Sequence, residues 1–300
     1  MLILVNPRAG AHSAAQHVER LQQLLSAQGF HVETVGDLSQ VAQQANAWHA
    51  AGTLRALVGV GGDGTAAELV NRTAPGVPIT ILPAGTENLL ARYAGLTADA
   101  ELLSGVIAAG QKVQFDAGRA NQRIFLLMAS AGFDAEVVHR VHANRRGHIQ
   151  GRSTYFGPIL RAAREYPFPE IRISWDPPTP IAEAPPQCRA AVRWFFCFNL
   201  PCYGGDFQIV RQCRGDDGRL DVCTYDDGGL CRSLQLIAAV KLGCQERLSH
   251  WRQFGVRRVR LESDQPVPYQ LDGDPGGHLP LDLEILPGRL CLLIPRKEPG

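Results

Sequence analysis

In 300 residues no apolar run approaches the roughly 20 positions that a membrane-spanning helix needs, so any lipid would have to be met from the water side. No sign of charge dominates. Lys plus Arg number 30 against 29 Asp plus Glu, a net charge of +1, so global charge points neither to nucleic acid nor to strong attraction to an anionic surface. No leader peptide is expected, because Met1 runs straight into Leu2-Ile3-Leu4-Val5, too short an apolar stretch and without a basic start. Cysteine is absent before residue 188. The eight cysteines that follow (Cys188, Cys197, Cys202, Cys213, Cys223, Cys231, Cys244 and Cys291) form no C-x-x-C pair, which argues against a zinc site. They read as reduced thiols of a cytoplasmic protein.

The chain has the composition of an ordinary globular enzyme, 45% hydrophobic and 20% charged, and the length for two domains. Its first part alternates strand and helix signals. Leu2–Val5 reads as a strand, and Ser13–Gln28 as a helix with Ala14, Val18, Leu21 and Leu25 on one stripe. Gly29 stops that helix. Phe30–Val35 is a second strand, and Ser39 is placed to cap a helix carrying Val41, Ala45 and Trp48. Ala56–Val60 is a third strand, followed by a glycine-rich turn and a helix from Thr65, and Ile79–Leu82 is a fourth. Such alternation predicts a parallel sheet with helices on both faces, whose ligands bind outside the carboxyl ends of the strands.

From about Lys112 strand-like runs dominate: Ile124–Ala129, Ile171–Trp175, Val192–Asn199, Leu220–Tyr225, Val256–Leu261, Leu281–Leu286 and Leu290–Ile294. Asp176–Gln187, with five prolines, reads as a loop. The expected organisation is an α/β nucleotide-binding domain over 1–118 and a mainly antiparallel β domain over 119–286 that takes the acceptor. Residues 287–300 form a last strand and tail that returns to the first domain.

The sharpest signal is Gly61-Gly62-Asp63-Gly64-Thr65, directly after the third strand. Strand, glycine turn and helix start together make a phosphate cradle. Glycine lets the backbone approach an anion, and N–H groups at the helix start point toward it. Asp63 among those donors suggests Mg²⁺ or a proton-accepting role; the plainer reading is a tight turn with Asp63 as a helix cap. Asn6-Pro7-Arg8-Ala9-Gly10 follows the first strand and Pro83-Ala84-Gly85-Thr86-Glu87-Asn88 the fourth, so three glycine-containing turns share one sheet edge.

This set, with Glu68 behind it, resembles the diacylglycerol kinase catalytic-domain family, which includes bacterial lipid kinases and is related to the sphingosine and ceramide kinases. Further matches follow in order: Asp116 and Gly118, Ala131-Gly132-Phe133-Asp134-Ala135, Tyr203-Gly204-Gly205, Asp216-Asp217-Gly218-Arg219-Leu220-Asp221, and Asp272-Gly273-Asp274. The resemblance covers nearly the whole chain and implies transfer of the γ-phosphoryl group of ATP to the hydroxyl of diacylglycerol or a related lipid. It implies that Asn6, Pro7, Arg8, Ala9, Gly10, Gly61, Gly62, Asp63, Gly64, Thr65, Glu68 and Thr86 hold ATP, with a contact from Thr34. It places the general base at Asp274, whereas sphingosine-type members give that role to the Asp of Gly-Gly-Asp-Gly, here Asp63. It implies a Mg²⁺ site at Asp217 with the carbonyls of Leu220 and Val222.

Two departures stand out. The usual Gly-Thr-x-Asn-Asp has Leu89 in place of its last residue, and the usual Asp-Gly-Glu is Asp272-Gly273-Asp274, one methylene shorter.

The stretch from His139 to Arg164, with Arg140, Arg145, Arg146, Arg152, Arg161 and Arg164, reads as a solvated helix and loop, or as a basic lip for anionic headgroups. Trp194, Phe195, Phe196 and Phe198 read as core, with an acyl-chain pocket as the alternative. Arg257, Arg258 and Arg260 read as an exposed strand face. The expected partner is a lipid at the membrane surface, met peripherally on the inner face, without nucleic acid; a homodimer is compatible with the sequence. NAD kinase shares Gly-Gly-Asp-Gly-Thr and is the alternative enzyme; a non-catalytic nucleotide- or lipid-binding protein is the alternative class.

Overall fold

A computed structural model describes residues 1–5, 13–144, 164–176, 188–204, 207–210 and 212–296. Outside the described residues lie Asn6, Pro7, Arg8, Ala9 and Gly10, all of the Asp176–Gln187 loop after Asp176, Gly205, and Arg145, Arg146, His148, Arg152 and Arg161 of the basic stretch. The chain divides into two compact units, residues 1–117 with 287–300, and residues 118–286.

The first unit is built on β1 (Leu2–Val5), β2 (Glu33–Val35), β3 (Leu57–Gly61) and β4 (Pro78–Pro83). They run parallel in the order β2-β1-β3-β4, with Val5 beside Val60 and Gly61 beside Pro83. Apart from Val5 and Pro83, β1, β3 and β4 are buried throughout, as expected of parallel strands covered on both faces. Around them lie α1 (Ser13–Ala27), α2 (Leu38–Ala50), α3 (Asp63–Arg72), α4 (Leu89–Tyr93) and α5 (Ala100–Ala109). Val18, Leu21 and Leu25 of α1 are buried. Gly29 follows α1 at φ +82, a left-handed conformation that glycine takes without steric cost. The cap of α2 is Asp37, whose carboxylate accepts the Gln40 N–H at 2.7 Å, rather than Ser39. Ser39 is already inside the first turn, two residues past the cap position and too late to bridge to the orphan donors.

The second unit holds an antiparallel sheet in the order β12-β11-β10-β7-β14-β15. Its strands are β7 (Met128–Gly132), β10 (Trp194–Phe198), β11 (Leu220–Tyr225), β12 (Trp251–Val256), β14 (Pro268–Leu271) and β15 (Asp274–His278). A second antiparallel run joins β9 (Cys188–Val192), β8 (Ile171–Trp175), β13 (Arg258–Glu262) and the first residues of β16 (Leu281–Leu293). β6 (Arg123–Phe125) pairs with the end of β5 (Lys112–Ala120). Inward residues of both sheets form one core: Ala131, Phe195 and Val222 from the first meet Ile173, Leu261 and Leu283 from the second. That is a β sandwich. Among its described residues this unit carries the α-helices α6 (Phe133–Asn144) and α7 (Leu230–Lys241).

Several strand-like runs divide differently from the sequence reading. Val192–Asn199 and Val256–Leu261 each break in two, at Arg193 and at Arg257, where the chain leaves one sheet for the other. Leu281–Leu286 and Leu290–Ile294 merge into the single strand β16, in which Gly288 takes φ +61. The last residues of β16 pair in parallel with β4 of the first unit, Cys291 beside Pro78. Trp194, Phe195, Phe196 and Phe198 are all buried in β10. Arg258 and Arg260 alternate with buried Val259 and Leu261, an outward strand face.

Phe125 is fully buried, and its ring occupies the space beside Gly118, where an added Cβ would lie 1.9 Å from it. Phe125→Ala should cost about 3–5 kcal/mol, and Gly118→Ala should also destabilise by overpacking. Denaturant unfolding followed by tryptophan fluorescence measures both.

Candidate active site

The parallel strands of the first unit all end at one edge, so their turns are neighbours. β3 ends at Gly61 and β4 at Pro83, and the Ala84 N–H donates to the Gly61 carbonyl at 3.0 Å. The two turns also come together at glycine. A Cβ on Gly85 would stand 2.7 Å from the Gly62 Cα, and one on Gly62 would stand 3.2 Å from the Gly85 Cα. Gly61 is equally restricted, since its Cβ would meet the Thr65 side chain at 2.2 Å. Asn88, at φ +50, closes the second turn on itself by accepting the Gly85 N–H at 2.9 Å and donating to the Gly85 carbonyl at 2.8 Å.

Asp63 locks these turns together. Its Oδ2 accepts the Leu89 N–H at 2.9 Å and its Oδ1 accepts the Leu90 N–H at 2.8 Å. It therefore caps α4, the helix after the second turn, while opening α3 after the first. Burial raises its carboxyl above the ordinary range; the Leu90 and Leu89 N–H groups pull it down, and nearby Glu87 pushes it up. The capping reading of Asp63 is thus realised on a helix 26 residues away. Leu89, the departure from the usual aspartate, contributes its N–H to this bond.

The other residues expected at ATP are more scattered. Thr86 is exposed in the second turn. Glu68, a turn and a half into α3, pairs with Arg72. Thr34 is exposed on β2 and accepts from the Gln22 side chain. Asp116 is buried and accepts the Gly288 N–H at 2.7 Å.

In the second unit three distant motifs converge. Asp272 and Gly273 form the two-residue turn between β14 and β15, both at positive φ, the Asp-Gly combination favoured in such hairpins. The Asp272 carboxylate accepts three backbone N–H groups, from Leu126 and Leu127 at 2.8 Å and from Met128 at 3.0 Å. Asp274, next in the chain, is half-exposed, with His142 at 3.5 Å and Arg123 at 3.9 Å. Behind the turn lies a buried polar group. Asp134 accepts hydrogen bonds from the hydroxyls of Ser130 and Tyr203 and from Gln270 Nε2 at 3.4 Å. Burial pushes the Asp134 carboxyl up against the pull of these donors. Burial, then the Asp134 charge, holds the Tyr203 hydroxyl well above its usual range. Gln270 was not anticipated; the signal available was a polar residue between Tyr269 and Leu271 on a strand buried along its length.

The proposed metal residues lie apart from this cluster in sequence. Asp217 sits in the turn before β11 and accepts the Arg219 N–H at 3.1 Å. Leu220 opens β11, and Val222 lies two residues inside it, between Cys197 and Phe254 of the neighbouring strands. A carboxylate and carbonyls suit a hard cation. Among the described residues no three His, Cys, Asp or Glu side chains cluster as metal ligands. No described helix is long and apolar enough to cross a membrane.

Two substitutions test the turns of the first unit. Gly85→Ala should destabilise the first unit by about 1–3 kcal/mol, by separating backbones that now touch, as denaturant unfolding would show. Asp63→Asn should fold but lose turnover by about two orders of magnitude or more, because the cap that sets both turns is weakened; steady-state kinetics beside circular dichroism checks it.

Comparison with known proteins agrees with this layout. Residues 1–120 match the diacylglycerol kinase catalytic domain, and residues 128–294 match the YegS C-terminal NAD kinase beta sandwich-like domain. A diacylglycerol kinase of Mycobacterium tuberculosis is 28% identical, over 98% of this chain and 94% of its own. One from Bacillus subtilis is 22% identical, over 99% and 96%. The crystal structure of a diacylglycerol kinase from Bacillus anthracis superposes with a TM-score of 0.70 at 20% identity, covering 98% of this chain and 96% of that one. An NAD kinase from Archaeoglobus fulgidus shares the fold more distantly, with a TM-score of 0.54 at 13% identity over 97% and 92%. The chain belongs to the diacylglycerol kinase catalytic-domain family, in the form that carries a YegS-type C-terminal β sandwich.

Proposed function

We propose that the chain transfers the γ-phosphoryl group of ATP, bound with Mg²⁺, to the primary hydroxyl of diacylglycerol or a related lipid at the membrane surface. The observation that carries this is the glycine contact at the strand ends of the first unit. Gly62 and Gly85 bring two backbones together beside the start of α3. Turns bare of side chains next to a helix N-terminus suit a phosphate chain. Thr65, Glu68 and Thr86 follow these turns, and Asn6 to Gly10, next in sequence after Val5 but outside the described residues, are proposed to join them at the nucleotide.

Phosphoryl transfer asks mostly for positioning and charge stabilisation. Mg²⁺ arriving with the nucleotide neutralises charge on the phosphates; Asp217 with the carbonyls of Leu220 and Val222 offers oxygen donors for a separate, structural Mg²⁺. In the reaction the lipid hydroxyl oxygen bonds to the γ-phosphorus, the bond to the bridging oxygen breaks, and ADP leaves. The hydroxyl proton passes to Asp274. Asp274 suits that role better than Asp272 or Asp63, which are committed to backbone N–H groups. Asp63 acts instead by setting the phosphate turns.

Labelled ATP offered with diacylglycerol, monoacylglycerol, phosphatidylglycerol and a sphingoid base in mixed micelles, and with NAD, should give a phosphorylated lipid. Label in NAD alone, or in nothing, overturns the proposal. Asp274→Asn should lower kcat by about 10²- to 10⁴-fold with an unchanged KM for ATP, and Asp274→Glu should keep substantial activity. If Asp274→Asn alters only thermal stability, the base lies elsewhere.

A further inference from the structure

Gln270 is 1% exposed, in the middle of the sandwich sheet. Burying a primary amide is costly unless every polar atom finds a partner, and an aliphatic side chain would fill the same space. Here both ends of the amide are used. Nε2 donates to the Ser130 hydroxyl at 3.0 Å and to Asp134 Oδ2 at 3.4 Å, and Oε1 accepts the Gly273 N–H at 2.8 Å. The amide can be oriented only this way round. The Gly273 N–H can only donate and so requires the oxygen, which turns the nitrogen toward the carboxylate. Asp134 is itself held from two sides by the Ser130 and Tyr203 hydroxyls. Gly273 immediately precedes Asp274. On the other flank Asp272 is fixed by its three backbone bonds.

The geometry points to Gln270 as a positioning residue for Asp274, with Asp134 and Tyr203 fixing the direction of its amide. The inference rests on Asp274 being the proton acceptor. Gln270 touches no reacting atom in this scheme. It holds the Asp272–Gly273 peptide, one residue before the Cα from which the acceptor carboxylate projects, and displacement of a catalytic group by about 1 Å can cost about 10²-fold in rate.

The test is a double-mutant cycle on the full chain, with kcat and both KM values measured for wild type, Gln270→Leu, Asp274→Asn and the pair. Gln270→Leu keeps the volume and removes all of the amide's hydrogen bonds. It should lower kcat by about 10- to 100-fold and leave the KM for ATP unchanged, and the pair should be no slower than Asp274→Asn alone, since a misplaced base and an absent one fail at the same step. Tyr203→Phe, a milder change that frees one side of Asp134, should lower kcat about 2- to 5-fold in the same pattern; it also supplies the reading if Gln270→Leu does not fold. Wild-type kcat in folded Gln270→Leu, or in Tyr203→Phe where that is the variant read, overturns the positioning role while a large loss in Asp274→Asn keeps the base. Losses that multiply in the pair also overturn it, because Gln270 would then act at another step. A silent Asp274→Asn removes the base assignment and the positioning role with it.

Discussion

Backbone N–H groups at the ends of strands and helices must find acceptors when the chain turns away from its neighbours, and in each unit a motif aspartate supplies them. Asp63 takes the Leu89 and Leu90 N–H groups of α4. Asp272 takes those of Leu126, Leu127 and Met128 at the entry to β7. In both places one carboxylate ties a glycine turn to a segment far away in sequence. The glycine contacts at Gly62 and Gly85, and the geometry of the Asp274 turn, depend on these anchors. A charged acceptor of two or three N–H groups is among the stronger hydrogen-bonding arrangements a protein offers, so the turns are held rigidly without bulky side chains that would obstruct a ligand.

The first unit was the more legible in the sequence, for a physical reason. Parallel strands covered on both faces are short unbroken apolar runs, and the helices between them carry a 3.6-residue stripe, so the two periods alternate visibly. The errors were local, as with Asp37 in place of Ser39 as the cap of α2. The β unit was harder to read because apolar runs continue through the points where the chain changes sheet. Arg193 and Arg257 each separate two strands of different sheets, but an arginine beside apolar strand residues looks like an ordinary outward position, as the grouping of Arg257 with Arg258 and Arg260 did. The opposite error occurred at Pro287-Gly288. That pair reads as a turn, yet β16 runs through it, with Gly288 absorbing the irregularity at φ +61.

The candidate site was legible where backbone chemistry dictates residue type and obscure where side chains cross long distances. Glycine turns announce themselves because no other residue tolerates a Cβ where Gly62 and Gly85 meet. The bond from Asp63 to Leu89 leaves no such mark, since any residue at 89 has an N–H to give. This accounts for the tolerated departure at Leu89 as far as the cap is concerned, and confines its consequences to what a side-chain carboxylate would have added.

The same reasoning bears on the second departure, Asp274 in place of glutamate. A shorter acid is tolerable only if the backbone beneath it is placed accurately, because one side-chain rotation fewer is available to correct an error in reach. Asp274 opens β15 directly after a two-residue turn whose dihedrals are narrowly defined. That turn is held by Asp272 on one side and by Gln270 on the other. The neighbouring aspartates thus divide the work. Asp272, whose carboxylate takes three backbone N–H groups, is the anchor, and Asp274, which among the described residues meets His142 at 3.5 Å and Arg123 at 3.9 Å, is the carboxylate proposed to take the proton. Rigidity in the turn takes the place of length in the side chain.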